Sequence, residues 1–336
     1  SPELWSRLGS WQRDKVNDPV RAEEAYAKAL AADPENIDFV RALEELRRGP
    51  GRERDRVATL RRLAKLEGEP ERKRELAREA AQVAEVTLAD AKLAEDVLRE
   101  LLAENDADLW ANTELTRLRE SAGDHEEVVT LLLKRAEMEA DGELAVSLRH
   151  RAAEVASDKL GDRDRAVALY EEILEQERGD ARAHERLRAL YGELGKYNEL
   201  ARLLTTLIEL AESPEARSLL RVDLARLQLE KFESAPDAID TLRAILDEEP
   251  DHDEAARLLG AIFEKQQQYA ELAELQSNLV ERARARGDAD AELARMVTLG
   301  EILEQRLEDA RRALETYEAI LERDPHQRAA LEAGAR

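Results

Sequence analysis

Ala166–Leu174 reads AVALYEEIL and is followed by a polar break at Glu175–Asp180. The pattern recurs. Tyr26, Val97, Tyr170, Leu242 and Tyr317 take the same place in five segments, spaced 71, 73, 72 and 75 residues apart. Four residues before each stands Ala22, Leu93, Ala166, Ala238 or Ala313, and four after it Leu30, Leu101, Leu174, Leu246 or Leu321. Eight residues after each, the chain breaks, at Pro34, Asn105, Arg178, Pro250 and Pro325. Apolar residues four apart line one face of a helix, so every segment predicts a helix with one buried face. Self-similarity at a fixed long period is the mark of a repeat array.

Working outward from that helix, apolar spacing and chain breakers give four helices per repeat. In the third repeat they fall at about 144–159, 164–177, 182–194 and 197–211, joined by short polar links such as Leu160-Gly161-Asp162 and Gly195-Lys196. Links this short force consecutive helices to pack antiparallel, as αα-hairpins. Asp18-Pro19 has the form of a helix start and Gly49-Pro50-Gly51 is the strongest breaker in the chain. The repeats are expected at about 1–69, 70–141, 142–212, 213–288 and 289–336, as one continuous array. The fifth is cut inside its third helix, expected from His326 to Arg336, and the chain opens on Ser1-Pro2-Glu3, so a fragment of a longer protein is expected.

The composition agrees with this architecture. Of 336 residues 43% are hydrophobic, 38% charged and 4% aromatic, and the apolar part is mostly Ala and Leu, which favour helix. The same Ala, Arg, Leu and Glu usage points to a GC-rich bacterial genome. The formal net charge is −24, which argues against a basic nucleic-acid-binding face. Arg47–Arg78 is locally basic, but Glu53, Asp55, Glu67, Glu71 and Glu75 interleave with it as a solvated helix face. There is no cysteine, which excludes disulfides and thiolate chemistry. No run is long and apolar enough for a membrane span, and no signal peptide is visible, so no membrane insertion is expected and the compartment stays open.

The residues resemble the tetratricopeptide repeat family, whose repeat is a pair of antiparallel helices with alternating small and large apolar positions. The clearest matches are Leu187, Tyr191, Gly195, Tyr197, Leu200, Leu204 and Leu207, and again Leu259-Gly260, Phe263, Tyr269, Leu272 and Leu279. Leu8-Gly9 and Leu299-Gly300 stand near the family's Leu-Gly pair, and small residues such as Gly260 and Ala166 are expected to let helices approach closely. Arg48 and Arg119 stand where Tyr191 and Phe263 would be, and Arg54 and His125 where Tyr197 and Tyr269 would be. The resemblance implies an all-α, right-handed α-solenoid of about 19 helices. It also implies a concave face, lined by the first helix of each hairpin, that binds peptides or helices.

Carried onto this chain, the groove positions are Phe39, Trp110, Arg182 and Glu254, then Thr113, Glu185 and Arg257, with Arg117 and Lys265 further along. These are the candidate partner-binding residues, with the aromatics as anchors. The Lys, Arg and Asn set with which some members clamp a peptide C-terminus is not found. His125, His150, His184, His252 and His326 include no pair at metal-binding helical spacing, and Asp251-His252-Asp253-Glu254 reads as a helix start. No phosphate loop, nucleophile elbow or kinase signature is present, so no catalytic, metal or cofactor residue is expected. The expected function is a non-catalytic protein-interaction scaffold. The alternatives are a structural spacer, self-association through the array ends, or a recruitment region of an enzyme whose catalytic domain lies elsewhere.

Overall fold

The computed structural model describes residues 1–334 and is helical throughout; no β-strand occurs among the described residues. Its contacts group into two compact bodies, Ser1–Arg178 and Gly179–Arg336. The N-terminal body opens with α1 (Pro2–Trp11), which continues through a π-helical turn at Gln12–Val16, then α2 (Pro19–Ala32), α3 (Ile37–Leu46) and α4 (Glu53–Leu66). The second repeat follows as α5 (Pro70–Gln82) with a π-helical turn at Val83–Thr87, α6 (Ala91–Glu104), α7 (Leu109–Ala122) and α8 (His125–Met138). The hairpin α9 (Gly142–Asp158) and α10 (Arg163–Gln176) completes this body.

The C-terminal body holds α11 (Ala181–Leu194), α12 (Tyr197–Leu210), α13 (Pro214–Glu230), α14 (Ala235–Glu248), α15 (Asp253–Lys265) and α16 (Tyr269–Arg286). It ends with α17 (Ala289–Gln305), α18 (Ala310–Arg323) and α19 (Arg328–Gly334). The predicted last helix thus starts two residues late, and its final residues, 335 and 336, lie outside the described part. Within each body every helix packs chiefly on its neighbours in sequence. All-α hairpins in tandem are therefore the architecture, as the helical periodicity requires.

One connection is built the same way five times. The first helix of each repeat ends in a residue at positive φ: Asn17 (57°), Ala89 (51°), Gly161 (70°), Glu233 (52°) and Glu308 (55°). The next residue sends its N–H back six positions: Asp18 to Gln12 O (3.0 Å), and Asp90 to Ala84 O, Asp162 to Ala156 O, Ser234 to Gln228 O and Asp309 to Leu303 O (2.9 Å each). The closure is one residue wider than the six-to-one bond of a Schellman motif, and the left-handed residue before it turns the chain off the helix end. The same residue caps the following helix: Asp18, Asp90, Asp162 and Asp309 each accept the backbone N–H three residues on. A single residue closes one helix and opens the next, which fixes the hairpin geometry.

This connection sets the repeat register and corrects four sequence assignments. The capping residues Asp18, Asp90, Asp162, Ser234 and Asp309 are spaced 72, 72, 72 and 75 residues apart. The counterpart of Tyr26 in the second repeat is then Leu98, one residue after Val97, and the counterpart of Ala22 is Ala94, with Leu93 only half-buried. The same spacing makes Arg47, and not Arg48, the counterpart of Arg119, and Glu53, not Arg54, the counterpart of His125.

In that register a small residue on the first helix lies seventeen positions before a large one on the second: Gly9 and Tyr26, Ala81 and Leu98, Ala153 and Tyr170, Ala225 and Leu242, Gly300 and Tyr317. A Cβ on Gly9 would sit 2.8 Å from the Tyr26 ring, and one on Gly300 would sit 2.6 Å from the Tyr317 ring. Those two glycines make room for a tyrosine against the backbone. Gly260 has no such duty, because a Cβ there would meet Leu272 at an ordinary 3.5 Å. The buried tyrosines keep their hydroxyls paired: Tyr26 meets Ser10 Oγ at 2.8 Å, and Tyr317 donates to Glu304 at 3.1 Å.

Candidate functional site

The candidate residues divide between the two bodies. In the N-terminal body Phe39 leaves the set. Its ring is 8% exposed and belongs to the core around Val40, Leu43 and Val57. The register explains why: Phe39 aligns with Ala111, Ala183 and Ala255, all fully buried, whereas the counterpart of Trp110 is Asp38. Trp110 is half-buried on α7, and the Arg78 guanidinium lies 4.9 Å from its ring. Trp110 and Arg117 do come together, in a cleft of about 150 Å³ between α5, α6 and α7. Arg117 is occupied there, bonded to both Glu85 oxygens at 2.8 and 2.6 Å and to Glu114 at 2.9 Å, which holds Glu85 below the usual carboxylate range. Thr113 spends its hydroxyl on the Leu109 carbonyl, 2.6 Å away.

In the C-terminal body Arg182 and Glu185 are exposed on α11. Glu254 is half-buried on α15 and takes Arg226, while Arg257 stands 3.8 Å from it and is well exposed. Lys265 is exposed at the end of α15. Arg257 lines the larger cleft, about 750 Å³, between α15 and α17, whose floor includes Gly260, Leu272 and Ile302. Asp253 and Arg295 face each other at 4.0 Å across the cleft, and α15 and α17 run in the same direction because each packs antiparallel to α16 between them. One end of the cleft carries Asp253 beside Arg257 and Arg295, and the other carries Arg306 beside Glu264 and Glu301. Neither glutamate has an ion-pair partner among the described residues. His252 behaves as the sequence predicts, capping α15 by accepting the Ala255 N–H at 3.2 Å.

The residue that sequence reading passed over is Gln276. In the corrected register it follows Leu60, Leu132 and Leu204, each fully buried. Gln276 is itself 8% exposed and lines the α15–α17 cleft from α16. Its amide oxygen is buried and has no hydrogen-bond partner among the described residues. A buried amide left unpaired is costly, and in a column of leucines it stands out as the polar exception. Among the described residues no group of three or more His, Cys, Asp or Glu is placed to hold a metal ion, and no helix is long and apolar enough to cross a membrane.

No family model matches the sequence, and no curated protein matches it. Among solved structures the chain is similar to the MamA protein, with 23% identity over 54% of this chain and 94% of that one (TM-score 0.26). It is similar to a human IFIT1 dimer with PPP-AAAA, at 17% identity over 93% and 73% (TM-score 0.34). It is also similar to the P58(IPK) TPR domain, at 16% identity over 99% and 96% (TM-score 0.23). What the structure itself gives is a tandem array of helical hairpins.

Proposed function

We propose that this chain is a non-catalytic scaffold whose α15–α17 cleft binds an extended segment of a partner protein. The observation that carries the reading is the Gln276 amide oxygen, buried, unpartnered and at the cleft wall. It needs a donor. The N–H groups inside a helix are spent within the helix, whereas an extended segment offers them outward. The charges then set the sequence preference. Arg257 and Glu264 are seven residues apart on one helix, roughly 10 Å at 1.5 Å per residue. That is about three residues of extended chain. The segment that fits carries an acidic side chain toward the well-exposed Arg257 and a basic one about three residues away, toward Glu264.

A peptide-display selection on the immobilised chain tests this. The enriched peptides should share that acid–base spacing. Gln276→Leu should weaken them at least tenfold while raising stability by about 1–2 kcal/mol, because it restores the leucine of the other repeats. Arg257→Glu should weaken them without loss of helicity. Enriched peptides that bind both variants undiminished would sink the reading.

A further inference from the structure

Twice in each body, the third helix of one repeat and the first helix of the next flank the helix between them: α3 and α5, α7 and α9, α11 and α13, α15 and α17. In three of these pairs an arginine spans the groove. Arg56, from the intervening helix α4, takes Glu44 of α3 at 3.0 Å and also Glu79 of α5. Arg151 of α9 takes Glu120 of α7 at 2.6 Å. Arg188 of α11 takes Asp223 of α13.

The fourth pair departs at the same positions. In the corrected register Thr298 on α17 stands where Glu79, Arg151 and Asp223 stand, and on α15 Gly260 replaces Arg188 while Glu264 matches Glu120. Glu264 thus keeps the carboxylate of the second repeat but has lost its arginine. Thr298 is uncharged and gives its hydroxyl to the Ala294 carbonyl at 3.1 Å. Gly260 removes the side chain that crosses the α11–α13 groove, and the cleft of about 750 Å³ lies there. Arg306 does not restore the bridge. Its guanidinium lies 5.3 Å from the Tyr269 ring, and its counterpart Lys231 makes the same contact with Tyr197 at 5.0 Å, so this cation belongs to the hairpin packing. Gln276, buried with an unpartnered oxygen, interrupts the leucine column beside the same gap.

We propose that the basic residue of the bound segment is an arginine that crosses the cleft from Glu264 toward Thr298, supplying from outside the bridge that the other three pairs carry within. The assignment rests on the cleft's role as the site of an extended partner segment. Arginine suits the place better than lysine. Its planar guanidinium has five N–H donors in a fixed fork, which can hold the Glu264 carboxylate through two parallel bonds and still offer donors to Glu301 on the opposite wall. A lysine ammonium is a compact point charge without that fork.

Three synthetic peptide pools test this on the intact, immobilised chain. Each is a randomised hexapeptide with aspartate at its second position and, three residues on, arginine, lysine or citrulline, which keeps the shape of arginine without its charge. Retention is read by mass spectrometry. The arginine pool should be retained about fivefold over the citrulline pool, the upper range for an exposed ion pair, with lysine between them. Glu264→Gln should bring the arginine and citrulline pools level. Thr298→Arg rebuilds the Glu120–Arg151 pairing within the chain and should remove the arginine preference likewise. Both variants should keep the circular dichroism of the parent. Equal retention of the three pools by the parent chain, lost for all three in Gln276→Leu, overturns the arginine assignment and leaves the cleft as a segment-binding site. An arginine preference that survives in either Glu264→Gln or Thr298→Arg also overturns it, because another carboxylate then receives the side chain. Retention of no pool overturns both the assignment and the cleft's role.

Discussion

Arg119 shows how one position can carry either charge or oil. It is held by Glu95 at 2.7 Å and by Glu127 at 2.7 Å, and Glu95 is 8% exposed. The first repeat makes the same choice, with Arg47 on Glu23 at 2.8 Å. In the fourth repeat the two positions are Phe263 and Ile239, packed in one apolar core. The ion pair and the apolar pair are alternative fillings of the same gap, exchanged together. Removing one partner of a buried pair strands a charge and costs about 3–5 kcal/mol, whereas replacing both by apolar groups is often neutral or stabilising. Arg119→Phe alone should therefore destabilise the N-terminal body by about 3 kcal/mol, and Glu95→Ile added to it should recover nearly all of that loss. Glu127 keeps Arg99 at 2.5 Å in either variant. A urea-denaturation double-mutant cycle measures the coupling, and strictly additive losses would show that the two fillings are not interchangeable.

At the scale of elements, the hairpin connection decides more than any apolar side chain. Its left-handed residue is glycine only at Gly161; the other four repeats tolerate Asn17, Ala89, Glu233 and Glu308 there. A residue with a Cβ in that conformation costs about 1–2 kcal/mol. Gly161→Ala should lower stability by about 1 kcal/mol without changing the fold, since Ala89 already adopts the same turn. An unchanged denaturation midpoint would show that the turn there relaxes out of the left-handed region. The connection also explains what the sequence concealed. Helix existence, order and approximate length are legible in AVALYEEIL and its relatives, because a 3.6-residue period survives local noise. Register in α6 is not, because the run Val97-Leu98 and Leu101-Leu102 offers apolar residues in two phases one residue apart. The evenly spaced caps Asp18, Asp90 and Asp162 resolve it. The same one-residue ambiguity in α3 put Phe39 in the groove when its side chain belongs to the core. Gln276 went unseen for a related reason: a glutamine is conspicuous only once the leucine column it interrupts has been aligned.

For the whole molecule, the balance of 76 acidic and 52 basic residues makes pH the natural variable. The resolved carboxylate shifts all point downward. Hydrogen bonds from Arg52, aided by Arg47, hold Glu23 below its ordinary range against the cost of burial. Burial pushes Glu44 up, but Arg48 and Arg56 outweigh it and leave it lowered. A carboxyl group depressed in the folded state stabilises above its unfolded pKa, and that contribution fades as pH falls through the folded value. These groups therefore act below about pH 4.5, starting from the ordinary carboxylate pKa. His184 acts earlier and only in the C-terminal body. Burial lowers its pKa, with Asp180 opposing, so the folded state keeps the ring neutral where the unfolded chain has already bound a proton. Protonation then favours the unfolded chain as pH falls below about 6.5, the ordinary histidine value. The counterpart of His184 in the second repeat is Asn112, also buried, so His184→Asn offers a side chain of proven fit that cannot titrate. Urea midpoints should fall for the parent chain between pH 7.5 and pH 5.5 and stay level for His184→Asn over the same interval. Parallel slopes in the two proteins would assign the mild-acid sensitivity to other groups.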